Sequence, residues 1–198
     1  YVQTFPAHLD LFQQGQMADF LHIVVEGGVE LHADWQGRET VMGVMRPVSA
    51  FILAACVRDA PYLMSARTLH RSRIVLLPAA DLRAAMRRDP DFAMAAMAEL
   101  ATSYRAMVRH AKNMKLRTAR ERLAAWILRQ AEQARDITGF VLPVEKRHLA
   151  SYLGITPESL SRTIRLLRDD GVTFHGQQIT ITDPTRLRAL AQLDPMLD

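Results

Sequence analysis

Four polar side chains, Glu158, Ser161, Arg162 and Arg165, fall at i, i+3, i+4 and i+7. On a helix they share one face. Their chemistry is that of reading base edges: arginine donates twice to O6 and N7 of guanine, glutamate accepts from N4 of cytosine, and serine can do either. Leu160, Ile164 and Leu167 form an apolar stripe on the other side. Just upstream, Leu149, Ala150 and Leu153 give a shorter helix its buried side. Gly154 suits a tight turn, because a positive φ costs glycine nothing. Thr156 and Pro157 suit the N-cap and first position of the second helix. This pattern predicts a helix-turn-helix, which sets the first residues of its second helix against the major groove. Glu158, Ser161 and Arg162 are the candidates for base contacts. Lys146, Arg147, Arg165 and Arg168 are the candidates for phosphate contacts, which supply salt-dependent affinity. An ordinary αα-hairpin with a solvated face is the bland alternative. Downstream, Val172-Thr173-Phe174, a turn at His175-Gly176, and Gln178 to Thr182 predict a small β-hairpin wing.

Charge points the same way. Residues 1–100 hold nine Lys/Arg against eleven Asp/Glu, and residues 101–198 hold sixteen against ten, so the basic excess lies in the half that carries the motif. The 198 residues are 49% hydrophobic and 23% charged, an ordinary globular composition. Cys56 is the only cysteine. A disulfide framework, a Cys-rich zinc site and an iron–sulfur cluster are therefore excluded, and a reducing cytoplasm is the expected setting. An enzyme using Cys56 as nucleophile lacks a base among its neighbours Ala54, Ala55 and Val57, so no catalysis is expected. No apolar run is long enough to span a membrane, and the first residues do not read as a secretory leader.

The remaining elements would have to hold this motif in place. Phe20 to Val25 and Val29 to Ala33 flank Gly27-Gly28 and predict a hairpin. Asp34-Trp35-Gln36-Gly37 is a second turn before the strand-like Thr40 to Met45, and Arg73 to Leu77 is a further strand closed by Pro78. Together they predict a β-sandwich or roll. Ala79 to Arg88 predicts a short helix stopped before Pro90. Met97, Leu100, Tyr104, Met107, Ala111 and Met114 then alternate in steps of three and four. This is the seam of a two-helix coiled coil, most simply satisfied by a homodimer. Thr118 and Glu121 form a capping box that starts another helix, with Leu123, Trp126, Ile127 and Gln130 on one side, and Gly139 closes the following segment. The expected fold is α+β: a sensory β-roll over 1–89, a dimerisation helix over 90–115 and a winged helix-turn-helix over 116–198.

This order resembles the CRP/FNR family of bacterial transcription regulators along essentially the whole chain. The residues that carry the resemblance are Phe12-Gln13-Gln14-Gly15-Gln16, Leu21 through Val29, Leu76-Leu77-Pro78, and Leu149-Ala150 through Arg162. Glu158, Ser161 and Arg162 look like the FNR side of the family, which implies a palindromic TTGA-type operator read by a homodimer, with RNA polymerase as a further partner. Val144 stands where many members carry a Thr or Ser cap. The family's cyclic-nucleotide pocket uses a Gly-Glu pair and an Arg-Ser/Thr pair. Here Phe51-Ile52 and Tyr62-Leu63 align with them, so a cyclic nucleotide is not the expected effector, since a buried phosphate needs a charge partner. An apolar pocket of Phe51, Ile52, Leu53, Ala54, Ala55, Tyr62, Leu63 and Met64 is expected instead. That pocket resembles the dissimilatory nitrate respiration regulator branch, which implies haem and nitric oxide as signal. His8, His22, His32 and His70 are then candidate axial ligands, with Cys56 and Met64 behind them. The alternative is a DNA-binding protein without an effector, whose roll is only a dimerisation scaffold.

Overall fold

The structure, a computed structural model, describes residues 1–198. The chain divides into two compact units, Tyr1–Ser103 and Tyr104–Asp198, each with its own apolar core. The division falls within one long helix, between the boundaries at 89 and 115 read from the change of sequence pattern.

In the first unit the strands are β1 (Val2–Phe5), β2 (Asp10–Phe12), β3 (Phe20–Glu26), β4 (Val29–Trp35), β5 (Arg38–Met45), β6 (Ser49–Phe51), β7 (Ser65–Thr68) and β8 (Ser72–Pro78), with helix α1 (Leu53–Arg58) after β6. They form two four-stranded antiparallel sheets in the orders β1-β8-β3-β6 and β2-β7-β4-β5. Val24, Val29, Ala66 and Ile74 are fully buried. The roll is therefore present, but the hairpin expected around Gly27-Gly28 is not. β3 pairs with β8 and β6, whereas β4 pairs with β5 and β7. The glycines carry the chain from one sheet to the other, so both apolar runs contribute to one core. Gly27 has φ of 87°, and a Cβ there would lie 2.3 Å from Ser72 Oγ and 2.7 Å from the Arg71 carbonyl oxygen. The Gly28 amide donates to Ser72 Oγ at 3.1 Å, fastening the crossover. A true hairpin forms one turn later. Gln36 and Gly37 both have positive φ and join Trp35 to Arg38, the backbone geometry that suits a two-residue loop. The short strands β1, β2, β6 and β7 and helix α1 were not legible, because three to six residues are too few to show a period.

Helix α2 (Ala79–Arg88) lies where expected. Asp89 Oδ1 then accepts from the Phe92 amide at 3.0 Å, and Pro90 opens α3 (Pro90–Leu116), about 40 Å long. Its seam residues do not behave alike. Met97, Tyr104 and Met107 are 57%, 67% and 69% exposed, and Ala111 is exposed too. Leu100 instead packs into the core of the roll, and the Met114 methyl occupies the space a Cβ on Gly154 would need.

In the second unit, α4 (Ala119–Ala134) begins at the expected capping box. Thr118 Oγ1 accepts from the Glu121 amide, and Glu121 Oε2 accepts from the Thr118 amide at 2.7 Å. Arg135, in the left-handed region, ends this helix. Gly139 instead opens a strand missed in the sequence, β9 (Gly139–Val141), where a Cβ would sit 2.3 Å from the Ile179 carbonyl oxygen. Helices α5 (Lys146–Tyr152) and α6 (Pro157–Leu166) follow, then β10 (Val172–His175) and β11 (Gln178–Ile181). The wing is thus three-stranded, in the order β10-β11-β9. Helix α7 (Pro184–Ala191), capped by Asp183, and the tail 192–198 were also missed. The tail answers to Arg117, whose buried guanidinium donates to both oxygens of the Asp198 carboxylate at 2.7 and 2.9 Å.

Gly27→Ala should destabilise the roll by about 2 kcal/mol or more, since a side chain there is both strained and blocked. Urea denaturation followed by circular dichroism checks this, and a variant as stable as the parent would refute the account of the crossover.

Candidate nucleic-acid interface

The helix-turn-helix forms from the residues assigned to it. Leu149, Ala150 and Leu153 on the first side, and Leu160 and Leu167 on the second, are each at most 1% exposed. Ile164 is only half-buried, and Thr163 completes the inner stripe, its hydroxyl donating to the Ser159 carbonyl at 2.8 Å. Gly154 has φ of 63°, so the turn uses the left-handed conformation that glycine permits. Thr156 Oγ1 accepts from the Ser159 amide, and Pro157 fills the first helical position. The N-cap residue of α5 is Glu145, not Val144, and its side chain makes no cap hydrogen bond; its carboxylate instead accepts from Arg147 Nε at 2.9 Å.

With one side of α6 buried, the other is left in solvent. Glu158, Ser161, Arg162 and Arg165 are all exposed and run down one face. Their resting contacts are local. Ser161 Oγ donates to the Pro157 carbonyl at 3.0 Å, and Arg165 Nε donates to the Ser161 carbonyl at 3.4 Å. Arg162 Nη2 donates to Ser159 Oγ at 3.1 Å, and the Thr156 hydroxyl reaches Ser159 Oγ at 3.3 Å. Ser159 is thus a positioning residue the sequence reading missed. Its signal was present: it stands three residues before Arg162. The Glu158 carboxyl is held below its ordinary range, first by a backbone hydrogen bond at the helix start and then by the Thr156 hydroxyl. It is ionised at neutral pH and can only accept.

The phosphate candidates also reach solvent. Lys146, Arg147, Arg165 and Arg168 are exposed, Lys146 and Arg147 in the first turn of α5 and Arg168 in the 3-10 turn Leu167–Asp170. That turn is anchored from behind. The buried Asp170 carboxylate receives Arg120 Nε at 2.9 Å and Nη2 at 2.5 Å, with Arg186 at 3.7 Å.

The effector-pocket residues part company. Phe51 is buried and lies against the His22 and Phe12 rings. Ile52 takes the left-handed N-cap position of α1, Met64 is half-buried, and Leu63 is 81% exposed. The apolar pocket over 51–64 is therefore not formed as expected: Phe51 and Leu53 belong to the core of the roll, Ile52, Ala55 and Met64 pack against that core, and Leu63 is left in solvent. Tyr62 is buried, its ring stacked on Phe12 at 3.9 Å and its hydroxyl donating to the Phe20 carbonyl at 3.1 Å. It helps to line a cavity of about 450 Å3 with Leu11, Phe12, Gln16, Met17, Asp19, Phe20 and His22. Of the four histidines, His8 and His70 are exposed, His32 sits 3.7 Å from Glu39, and only His22 faces this cavity. Cys56 is fully buried. Burial pushes its thiol up to about 11, with Arg83 offsetting only part, which suppresses the thiolate a nucleophile needs.

Arg120→Ala would leave Asp170 with Arg186 alone, and a buried carboxylate short of a partner is costly. The second unit should lose about 3 kcal/mol of stability, measured by chemical denaturation with Trp126 fluorescence; no loss would mean that the pair is solvated and idle.

Known proteins align with both halves of this arrangement. Residues 2–89 match the cyclic nucleotide-binding domain family and residues 121–190 the Crp-like helix-turn-helix domain family. The nitrogen fixation regulation protein FixK of Azorhizobium caulinodans is 26% identical over 94% of this chain and 77% of its own. The cAMP-activated global transcriptional regulator CRP of Escherichia coli is 21% identical over 91% of this chain and 89% of its own. The solved structure of FixK2 from Bradyrhizobium japonicum superposes with a TM-score of 0.78, covering 98% of each chain at 23% identity, and so shares the fold. A cyclic nucleotide-binding-type β-roll, a long helix and a helix-turn-helix whose outer face is left bare make this chain a DNA-binding transcription regulator of the CRP/FNR family.

Proposed function

We propose that the protein binds a palindromic TTGA-type operator as a homodimer in the cytoplasm and acts with RNA polymerase, under an effector that is not a cyclic nucleotide. One observation carries the reading of DNA: Glu158, Ser161 and Arg162 stand exposed on one face of α6, near its N-terminus, and Arg162 is steadied by Ser159. In this reading Arg162 meets guanine, Glu158 accepts from the exocyclic amine of cytosine or adenine, and Ser161 adjusts to either. Lys146, Arg147, Arg165 and Arg168 hold the phosphates and set the register. The row of Met97, Tyr104 and Met107, all exposed on α3, supports the dimer, with Leu100 serving the roll instead of the seam. Half-sites would then lie about one helical turn apart.

The effector reading rests on the roll. Where the family resemblance puts a phosphate-binding arginine, Tyr62 is buried and tied to Phe20. No Lys or Arg lines the cavity, and Asp19 does. A cyclic phosphate, like the propionates of a haem, would meet a carboxylate and no cation, so this lining fits neither group. Haem and nitric oxide as signal, implied by the resemblance alone, draw no support from this lining.

The contrast between two kinds of variant tests the interface. Arg162→Ala should cost about 1–3 kcal/mol on the cognate operator and far less on random DNA. Lys146→Ala or Arg168→Ala should weaken both alike and lower the salt slope by about one. Fluorescence anisotropy over a salt series reads both, and equal losses on both DNAs for Arg162→Ala would put the wrong face of α6 in the groove.

The seam is tested away from Leu100, whose replacement would strike the roll as well. Met107→Asp sets two carboxylates against each other in a dimer, so the variant should sediment as a monomer and lose operator affinity. A Met107→Asp protein that stays dimeric would remove α3 from the interface.

A further inference from the structure

The roll's cavity has a lining that DNA recognition leaves unused. We propose that it binds a small organic ammonium ion with an apolar body, such as a protonated arylalkylamine. The space, about 450 Å3, is within the usual range for small-molecule sites. Leu11, Phe12, Phe20 and Tyr62 offer an apolar body surface and ring faces, and aromatic rings attract cations, more strongly where water is excluded. Asp19 is the one charged residue in the lining, and it is exposed. An anion would meet a carboxylate there without compensation, whereas a cation gains a counter-charge.

His22 completes the lining. The ring is 5% exposed, and burial holds it down to about 4, the Phe20 carbonyl opposing only part of that, so it is neutral at physiological pH. It adds no charge that would repel a cation and offers a further ring face. A neutral apolar guest gains nothing from Asp19, so the carboxylate is what decides for a cation.

As the effector site of the regulator, the cavity rests on the reading of the protein given above; binding itself is measured without DNA, so the two fail separately. The probes are 2-phenylethylamine, 2-phenylethanol and 3-phenylpropionate, which carry one aromatic body and three charge states at neutral pH. Isothermal titration calorimetry of the full chain should show saturable binding of the amine, about tenfold tighter than the alcohol, with the acid weakest. Asp19→Asn should bring the amine to the level of the alcohol, and His22→Ala, which removes a ring face, should weaken both. A second measurement needs no variant: the ring nitrogen resonances of His22 should move when the amine is added and stay unchanged with the acid. Equal affinity for the three probes, tightest binding of the alcohol or the acid, no saturation by the amine at millimolar concentration, or His22 resonances that ignore the amine would each overturn the proposal.

Discussion

A ten-residue helix has little stability of its own in water, because nucleation is costly and few hydrogen bonds follow it. Helix α6 therefore exists only while one of its sides is buried, and much of the second unit answers to that constraint. Leu160, Thr163 and Leu167 give it an inner face, and Leu149 of α5 and Leu153, just after that helix, belong to the same core. The left-handed turn at Gly154 sets the approach of the two helices, and Arg122 Nε ties α4 to the Leu153 carbonyl at that turn at 3.0 Å. Because burial consumes one side entirely, the exposed side is free to carry polar residues chosen for another surface.

The anchoring at the far end of α6 follows the same logic with charge in place of hydrocarbon. The 3-10 turn after α6 buries Asp170, which is tolerable because Arg120 meets it with two hydrogen bonds and Arg186 stands nearby. Gly171 follows with φ of 77°, and a Cβ there would strike Asp183, the residue that caps α7. One stretch of chain thus ends the recognition helix, starts the wing and limits what can stand beside it. The wing owes its third strand to Gly139, the one residue type that lets β9 approach β11 so closely.

The roll meets a different constraint. Its two sheets must share one core, so the chain has to cross between them at Gly27 without a side chain in the way. Tyr62 closes the interior from the other side, stacking on Phe12 and reaching the Phe20 carbonyl. Tyr62 sets π-surface beside His22, which burial keeps neutral. The roll itself belongs to the cyclic nucleotide-binding domain family.

Much of the helical unit was legible in the linear sequence, because its signals are local. The capping box at Thr118 and Glu121, the Thr156-Pro157 start, the glycine turn at Gly154 and the three-and-four spacing of Glu158, Ser161, Arg162 and Arg165 each span no more than eight residues, and each lies in the structure where its chemistry put it. The pairing of β3 with β8 was not legible, since Leu21 and Leu77 become neighbours only across the fold and alternation says which residues face inward but not from which sheet. Nor was the split of the α3 seam, in which Leu100 goes to the roll while Met97, Tyr104 and Met107 stay exposed, because a heptad pattern cannot tell its own domain from a partner. The cavity beside His22 was misplaced for a related reason: hydrophobicity along 51–64 marks residues that avoid water, and only the course of α1 and the strands decides which of them line a space and which fill it. The sequence by itself determined where the helices start and turn and what α6 presents to solvent, through interactions between near neighbours in the chain. The tertiary structure alone decided sheet membership, the ownership of the seam and the lining of the cavity, because those depend on residues brought together from distant parts of the chain.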